Sequence, residues 1–234
     1  MRPQKPKPNK KFERGNANHA AALSGRRLRF GAGSRAVRSG MARKERLMAQ
    51  QFDSISDKLR AFIEAQKIFF TGSAAPEGRV NVSPKGMDSF RVLGPNRVAY
   101  LDLTGSGSET WAHVHACADR RLTVMFCAFE GPPMILRLYG AATIHQLGSP
   151  GYDALLPEFT DIPGARQIVV LDVDLAQTSC GFAVPLYDYR EDRPTLVRFA
   201  EKKGEEGMKA YRAEKNAVSL DGLPAGFGTV EAAE

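Results

Sequence analysis

Alternating apolar and polar residues mark six or seven short segments of this 234-residue chain as β-strands. Successive side chains of a pleated strand point to opposite faces, so this alternation predicts strands that each bury one face. Turn residues such as Gly94-Pro95-Asn96 separate the segments. The segments are KIFFTGS from Lys67, RVNVS from Arg79, FRVL from Phe90, RVAYLDL from Arg97, RLTVMFCAF from Arg121, MILRLYGAATI from Met134 and RQIVVLDVDL from Arg166.

Helical patterns are fewer than strand patterns. A capping-box pattern, Ser54-x-x-Asp57, opens an amphipathic helix over residues 54–66, and Ser106-x-x-Glu109 opens a short one. A third, mostly solvated helix is expected near the C-terminus. Because helices and strands do not alternate as βαβ units, a closed antiparallel barrel is favoured over a doubly wound parallel sheet. We therefore predict a mainly β fold with peripheral helices.

Charge is distributed unevenly along the chain. Residues 1–47 hold 14 Lys and Arg against 2 acids, whereas the remainder holds 19 bases against 24 acids, although the whole chain has a formal net charge of +7. We predict that 1–47 is a basic disordered tail, or an upstream extension without a role if translation begins at Met41 or Met48. Its Arg-rich composition also fits a transit peptide or a weak nucleic-acid contact.

The rest of the chain is long enough for one domain with a substantial core. We place a barrel domain at 48–182 and a helical and irregular extension at 183–234. No apolar run reaches the roughly 18 residues that span a bilayer, so no membrane partner is expected. Three cysteines without a C-x-x-C pair suggest neither a disulfide framework nor a zinc site, and a reducing cytoplasm is the expected compartment.

Two local patterns point to an anion site. Arg79, Asn81, Ser83 and Lys85 share one face of a predicted strand, and a glycine-rich loop from Thr104 leads into a helix N-terminus, which presents free N–H groups. Together they predict a phosphate pocket.

A lone cation interrupts an apolar strand. Arg137 lies between Leu136 and Leu138 and needs either a ligand anion or an acid such as Asp102, unless the strand end reaches water. By contrast, His113 and His115 lie two positions apart on a helix and point away from each other, so no metal site is expected there.

Several blocks of the sequence resemble one family. VNVSPKGMDSFRVLGPNRVAYLDLTGSGSETWAHV, LTVMFCAFEGPPMILRLYGAATI, QTSCGFAVPL and EKKGEEGMKAYRAEKNAVSLDGLPAG are similar to a bacterial subfamily of the pyridoxamine 5'-phosphate oxidase-like, FMN-binding split-barrel proteins, over residues 48–226. The resemblance implies a six-stranded antiparallel split barrel and a homodimer with FMN in clefts between subunits. The resemblance implies that the polar strand and the glycine-rich loop hold the flavin, and Arg137 is included as the lone cation described above. The predicted cofactor-binding residues are Arg79, Asn81, Ser83, Pro84, Lys85, Gly86, Leu103, Thr104, Gly105, Ser106, Thr110 and Arg137.

The sequence also departs from the founding oxidase. Where that enzyme has a Ser-Arg-Lys cluster, this chain has Ser108, Glu109 and Thr110, and the Trp-Gly and Arg-x-His elements that bind its substrate have no counterpart. We therefore expect an oxidoreductase that moves hydride or electrons between flavin and a different, unidentified small substrate. No catalytic residue is nominated. The alternatives are an F420-dependent reductase, a non-catalytic flavin or haem binder, and a nucleic-acid-binding protein acting through the tail.

Overall fold

The computed structural model describes residues 49–227. Within this range there are eight β-strands in one sheet, four α-helices and one turn of 3-10 helix. The predicted basic tail, residues 1–47, lies outside the described range. No helix in the described part is long and apolar enough to cross a membrane.

All strand pairings in the sheet are antiparallel, and the order is β3-β2-β6-β7-β8-β5-β4, with β1 pairing to β8 in addition. The strands are β1 (Gln50–Phe52), β2 (Phe69–Ser73), β3 (Asn81–Lys85), β4 (Phe90–Gly94), β5 (Arg97–Leu103), β6 (Arg121–Cys127), β7 (Ile135–Gln146) and β8 (Ala165–Ser179). The mainly β, antiparallel prediction is confirmed, and all seven patterned segments form strands. The sheet contains eight strands rather than six, partly because β1 has three residues and is too short to show alternation.

The sheet curls until strands that are distant in its order meet across a common core. The rings of Phe69 on β2 and Phe90 on β4 have centroids 4.9 Å apart, although four strands separate β2 from β4 in the sheet. Phe126 lies 5.0 Å from Phe90, and Tyr100 lies 5.6 Å from Phe69, both edge to face. Such aromatic pairs stabilise a core beyond the area that they bury. Within residues 49–227 no ladder joins the end strands β3 and β4, so the barrel is split there.

A second cluster explains why some strands are apolar on both faces. On β5, Val98 and Tyr100 point into the main core, while Ala99 and Leu101 belong to a second apolar cluster on the opposite face. That cluster contains Tyr152 from helix α3 (Pro150–Leu155), which the 3-10 helix Leu156–Glu158 follows. Part of the outer surface of the barrel is therefore covered by the chain itself.

The remaining helices are α1 (Asp57–Ala65), α2 (Glu109–Ala116) and α4 (Thr195–Lys215). The predicted cap at Ser54 is wrong, since Ser56 is the N-cap of α1 and its hydroxyl accepts a hydrogen bond from the Leu59 amide at 3.4 Å. The predicted apolar stripe is present, with Leu59 and Ile63 buried in the main core. Gly204 interrupts α4 with a positive φ of 66°, a conformation that glycine adopts without a steric penalty.

Candidate functional site

A cavity of about 610 Å³, which we name the polar cavity, lies beside the split of the barrel. The end of β3, strand β5, the loop 103–107 and the head of α2 surround it, and its size is that of a small-molecule site, about 300–1,000 Å³. Nine of the twelve predicted cofactor-binding residues line it: Asn81, Ser83, Pro84, Lys85, Gly86, Leu103, Gly105, Ser106 and Thr110. Arg79, Thr104 and Arg137 are not part of the lining.

Strand β3 turns its polar face inward and its apolar face outward. Asn81, Ser83 and Lys85 are half-buried and line the polar cavity, whereas Val82 on the opposite face is 63 % exposed. Ser83 donates to the Asn81 amide oxygen at 3.2 Å, and the Asn81 amide nitrogen donates to the Ser73 hydroxyl at 3.3 Å. These bonds fix the orientation of the Asn81 side chain at the cavity wall.

Behind Lys85 lies a buried acid that holds two cations. The Asp102 carboxylate on β5 is 2 % exposed and accepts from Lys85 Nζ at 2.7 Å and from Arg166 Nε at 2.8 Å. Gln167 Nε2 also donates to it at 2.8 Å. Burial alone would raise the pKa of Asp102, but the Lys85 and Arg166 charges outweigh burial and hold that pKa well below its usual range. One carboxylate thus balances two positive charges at this wall.

Arg166 also connects the glycine-rich loop to the C-terminal part of the chain. Its Nη1 donates to the Gly107 carbonyl at 2.9 Å and to Asn216 Oδ1 at 2.8 Å, and Asn216 Nδ2 donates to the Gly105 carbonyl at 3.1 Å. Both Arg166 and Asn216 are buried. The loop that lines the polar cavity is therefore fixed from behind by side chains.

Three of the predicted cofactor-binding residues lie outside the lining of the polar cavity. Arg79 is largely exposed and forms an ion pair with Asp221, because the C-terminal segment packs against the β2–β3 turn. Thr104 is buried, and its hydroxyl donates to the Gly164 carbonyl at 2.8 Å, which supports the loop.

Arg137 is the third predicted residue outside the cavity lining. Its Nη1 donates to the Ser179 hydroxyl at 3.2 Å, and the suggested acid, Asp102, is paired with Lys85 and Arg166 instead. Its side chain lies on the face of β7 opposite to Leu136 and Leu138, which are buried in the core.

The head of α2 is closed by the C-terminal segment. The N-cap of α2 is Ser108 and not Ser106, and its side chain makes no capping bond. Glu109 Oε1 instead accepts a hydrogen bond from the Leu220 amide at 3.0 Å, and Leu220 lines the polar cavity. Glu109 therefore holds the C-terminal segment beside the cavity.

A second polar chain runs from Glu109 through α2 to β2. His113 Nδ1 lies 3.1 Å from the Ser73 hydroxyl, and His113 Nε2 lies 3.8 Å from Glu109 Oε2. His113 is buried, so this chain supports the wall that carries Asn81. Within residues 49–227 no group of three or more His, Cys, Asp or Glu could hold a metal ion.

A family model and a curated relative that match this chain carry the same family description. Residues 55–180 match the family model described as pyridoxamine 5'-phosphate oxidase. A curated relative, the pyridoxamine 5'-phosphate oxidase family protein ustO of Aspergillus flavus, is 40 % identical over 193 residues, covering 74 % of this chain and 76 % of the relative.

Solved structures with similar folds include HupZ of Group A Streptococcus, with a TM-score of 0.40 and 15 % identity, covering 52 % of this chain and 91 % of that chain. A pyridoxamine 5'-phosphate oxidase-related, FMN binding protein of Nostoc punctiforme has a TM-score of 0.36 and 12 % identity, covering 47 % and 73 %. On the family model and the curated relative, this chain belongs to the pyridoxamine 5'-phosphate oxidase family.

Proposed function

We propose that the polar cavity binds FMN and that the protein transfers hydride or electrons between this flavin and a small substrate. The observation that supports it best is the shared pairing at the cavity wall, where Lys85 and Arg166 face a single buried carboxylate, Asp102. A phosphate is the kind of ligand that such a surplus of positive charge stabilises.

The unused donors of the two cations fit a phosphate group. A lysine ammonium has three N–H donors, and Lys85 directs one of them to Asp102. Arg166 uses Nε and Nη1 for protein contacts, while its Nη2 makes no hydrogen bond to any residue in 49–227. Glu109 adds a negative charge at the head of α2, and its Oε1 accepts from the Leu220 amide. We place the phosphate beside Lys85 and Arg166, where these remaining donors lie.

The polar and apolar lining residues fit the rest of the cofactor. Asn81, Ser83 and Ser106 offer amide and hydroxyl groups to a polyhydroxy chain, and Leu101 and Leu103 offer apolar contact and exclude water. A bound FMN would supply two-electron redox chemistry, and these side chains would hold and orient it. The chain's own contribution is to bind, orient and desolvate.

The proposal includes a homodimer in a reducing cytoplasm. Val80, which directly precedes β3, is 72 % exposed and forms with Val82 an apolar outer face that a second copy would cover by twofold symmetry. Cys117, Cys127 and Cys180 are all free, which suits a reducing compartment.

The test is to purify the protein from a host that makes flavins, release the ligand and identify it by mass. We expect yellow protein with close to one FMN per subunit. Because FMN binds only the folded protein in this proposal, added FMN should also raise the melting temperature. Colourless protein that ignores added FMN would contradict the proposal, and selective uptake of F420 would replace FMN with that cofactor.

A further inference from the structure

A larger cleft of about 1,020 Å³ lies next to the polar cavity, and we name it the aromatic cleft. One wall is formed by residues 65–68, Phe70 and the turn 84–87, and the other by residues from the segment 187–199. Phe70, Phe129, Tyr187, Tyr189 and Phe199 contribute rings to the lining. Its volume is at the upper end of the range for small-molecule sites, about 300–1,000 Å³.

The outer wall has no regular secondary structure before α4, yet specific contacts hold it. The Tyr187 amide donates to the Phe129 carbonyl at 2.9 Å, and the two rings stack with centroids 5.5 Å apart. The Tyr189 amide donates to Glu130 Oε1 at 3.0 Å. Tyr187 and Tyr189 remain 62 % and 46 % exposed, so much of each side chain is free to contact a ligand.

The two sites are continuous. Pro84, Lys85, Gly86, Met87 and Leu196 line both the polar cavity and the aromatic cleft. A molecule in the cleft would therefore lie beside a cofactor in the cavity, with the turn after β3 forming the shared floor. Close approach of the two ligands is what a direct transfer between them requires.

The charges around the cleft are balanced. Its lining contains four bases, among them Lys67 and Arg190, and four acids, among them Glu130 and Asp192. Balanced charge gives no preference for an anion or a cation, while the aromatic lining favours stacking with a ring.

We propose that the aromatic cleft binds the substrate and that this substrate is a neutral molecule with an apolar ring. Its role as a substrate site depends on the proposed function, whereas binding of such a molecule does not. A second copy of the chain is a poorer occupant, because both walls of the concave cleft already come from one chain and leave room for a small molecule.

The experiment titrates the full chain with the neutral fluorescent probe N-phenyl-1-naphthylamine, with and without FMN. Tyr187→Ser and Tyr189→Ser should each lower the affinity for the probe by about three- to tenfold, the range expected for the loss of one aromatic contact. The matched control is Phe182→Ser, an exposed apolar residue on the same segment but outside the cleft, which should leave probe affinity unchanged. The sulfonated analogue 8-anilino-1-naphthalenesulfonate should bind more weakly than the neutral probe.

Three results would overturn the proposal. They are unchanged probe affinity in both tyrosine variants, displacement of the probe by FMN, and loss of both the dimer and probe binding in Tyr187→Ser. The second would place the flavin itself in the cleft, and the third would make the cleft an interface between copies. If wild-type protein binds the probe as expected but never binds FMN, the proposed function fails while the cleft assignment stands.

Discussion

Replacing Asp102 with asparagine is expected to lower the free energy of unfolding by about 3 to 5 kcal/mol, the usual cost of removing one partner of a buried ion pair. Asp102 is the carboxylate between Lys85 and Arg166, and asparagine keeps its shape but not its charge. Both cations would then remain near the core without an acid. Urea unfolding of the two proteins measures the difference.

The control is Asp172→Asn on the same sheet. Asp172 pairs with Arg97 at 3.6 Å, but both side chains are more than half exposed, so its loss should cost about 0 to 1 kcal/mol. The pKa of Asp102 is lowered in the folded protein, so its contribution is complete above its ordinary value of 3.8 and is lost as the pH falls below it. The difference in the free energy of unfolding between wild type and Asp102→Asn should therefore become smaller in acid. Equal losses for the two variants would contradict the account.

Replacing Lys85 with alanine should lower the affinity for FMN by about ten- to a hundredfold, the effect of losing one charge-assisted contact worth about 1.5 to 3 kcal/mol. The affinity for riboflavin should fall much less, because riboflavin lacks the phosphate that Lys85 is proposed to bind. Arg166 and Gln167 still satisfy Asp102 in this variant, so the barrel should fold. Fluorescence titration of both flavins gives the comparison.

Lys58→Ala is the matched control for charge, since Lys58 is exposed on α1 and lines neither the polar cavity nor the aromatic cleft. It should leave both affinities unchanged. If Lys85→Ala weakened FMN and riboflavin equally, Lys85 would have to contact the ring or support the cavity wall, and the phosphate assignment would be wrong.

Local sequence patterns were enough to predict the face of β3 and most of the cavity lining. Side-chain direction alternates along a strand whatever its partners are, so the polar face formed by Asn81, Ser83 and Lys85 could be read directly. The loop after β5 could be predicted because a glycine-rich loop that leads into a helix N-terminus is recognisable from neighbouring residues alone.

The rest of the site depends on pairings that are distant in sequence. Asp102 and Arg166 are 64 positions apart and meet because β5 pairs with β8, where Asp102 lies opposite Gln167. The available signal was one acid within VAYLDL and one base at the start of RQIVVLDVDL, since buried charges require partners. The contact between Arg79 and Asp221 could not be predicted for the same reason, because the two residues lie 142 positions apart.

The most direct test of the account is a crystal structure of the protein with FMN. We expect the phosphate in the polar cavity, within ion-pair distance of Lys85 Nζ and the Arg166 guanidinium, with the ring directed toward the aromatic cleft. A flavin bound elsewhere, or a phosphate that contacts neither Lys85 nor Arg166, would contradict it.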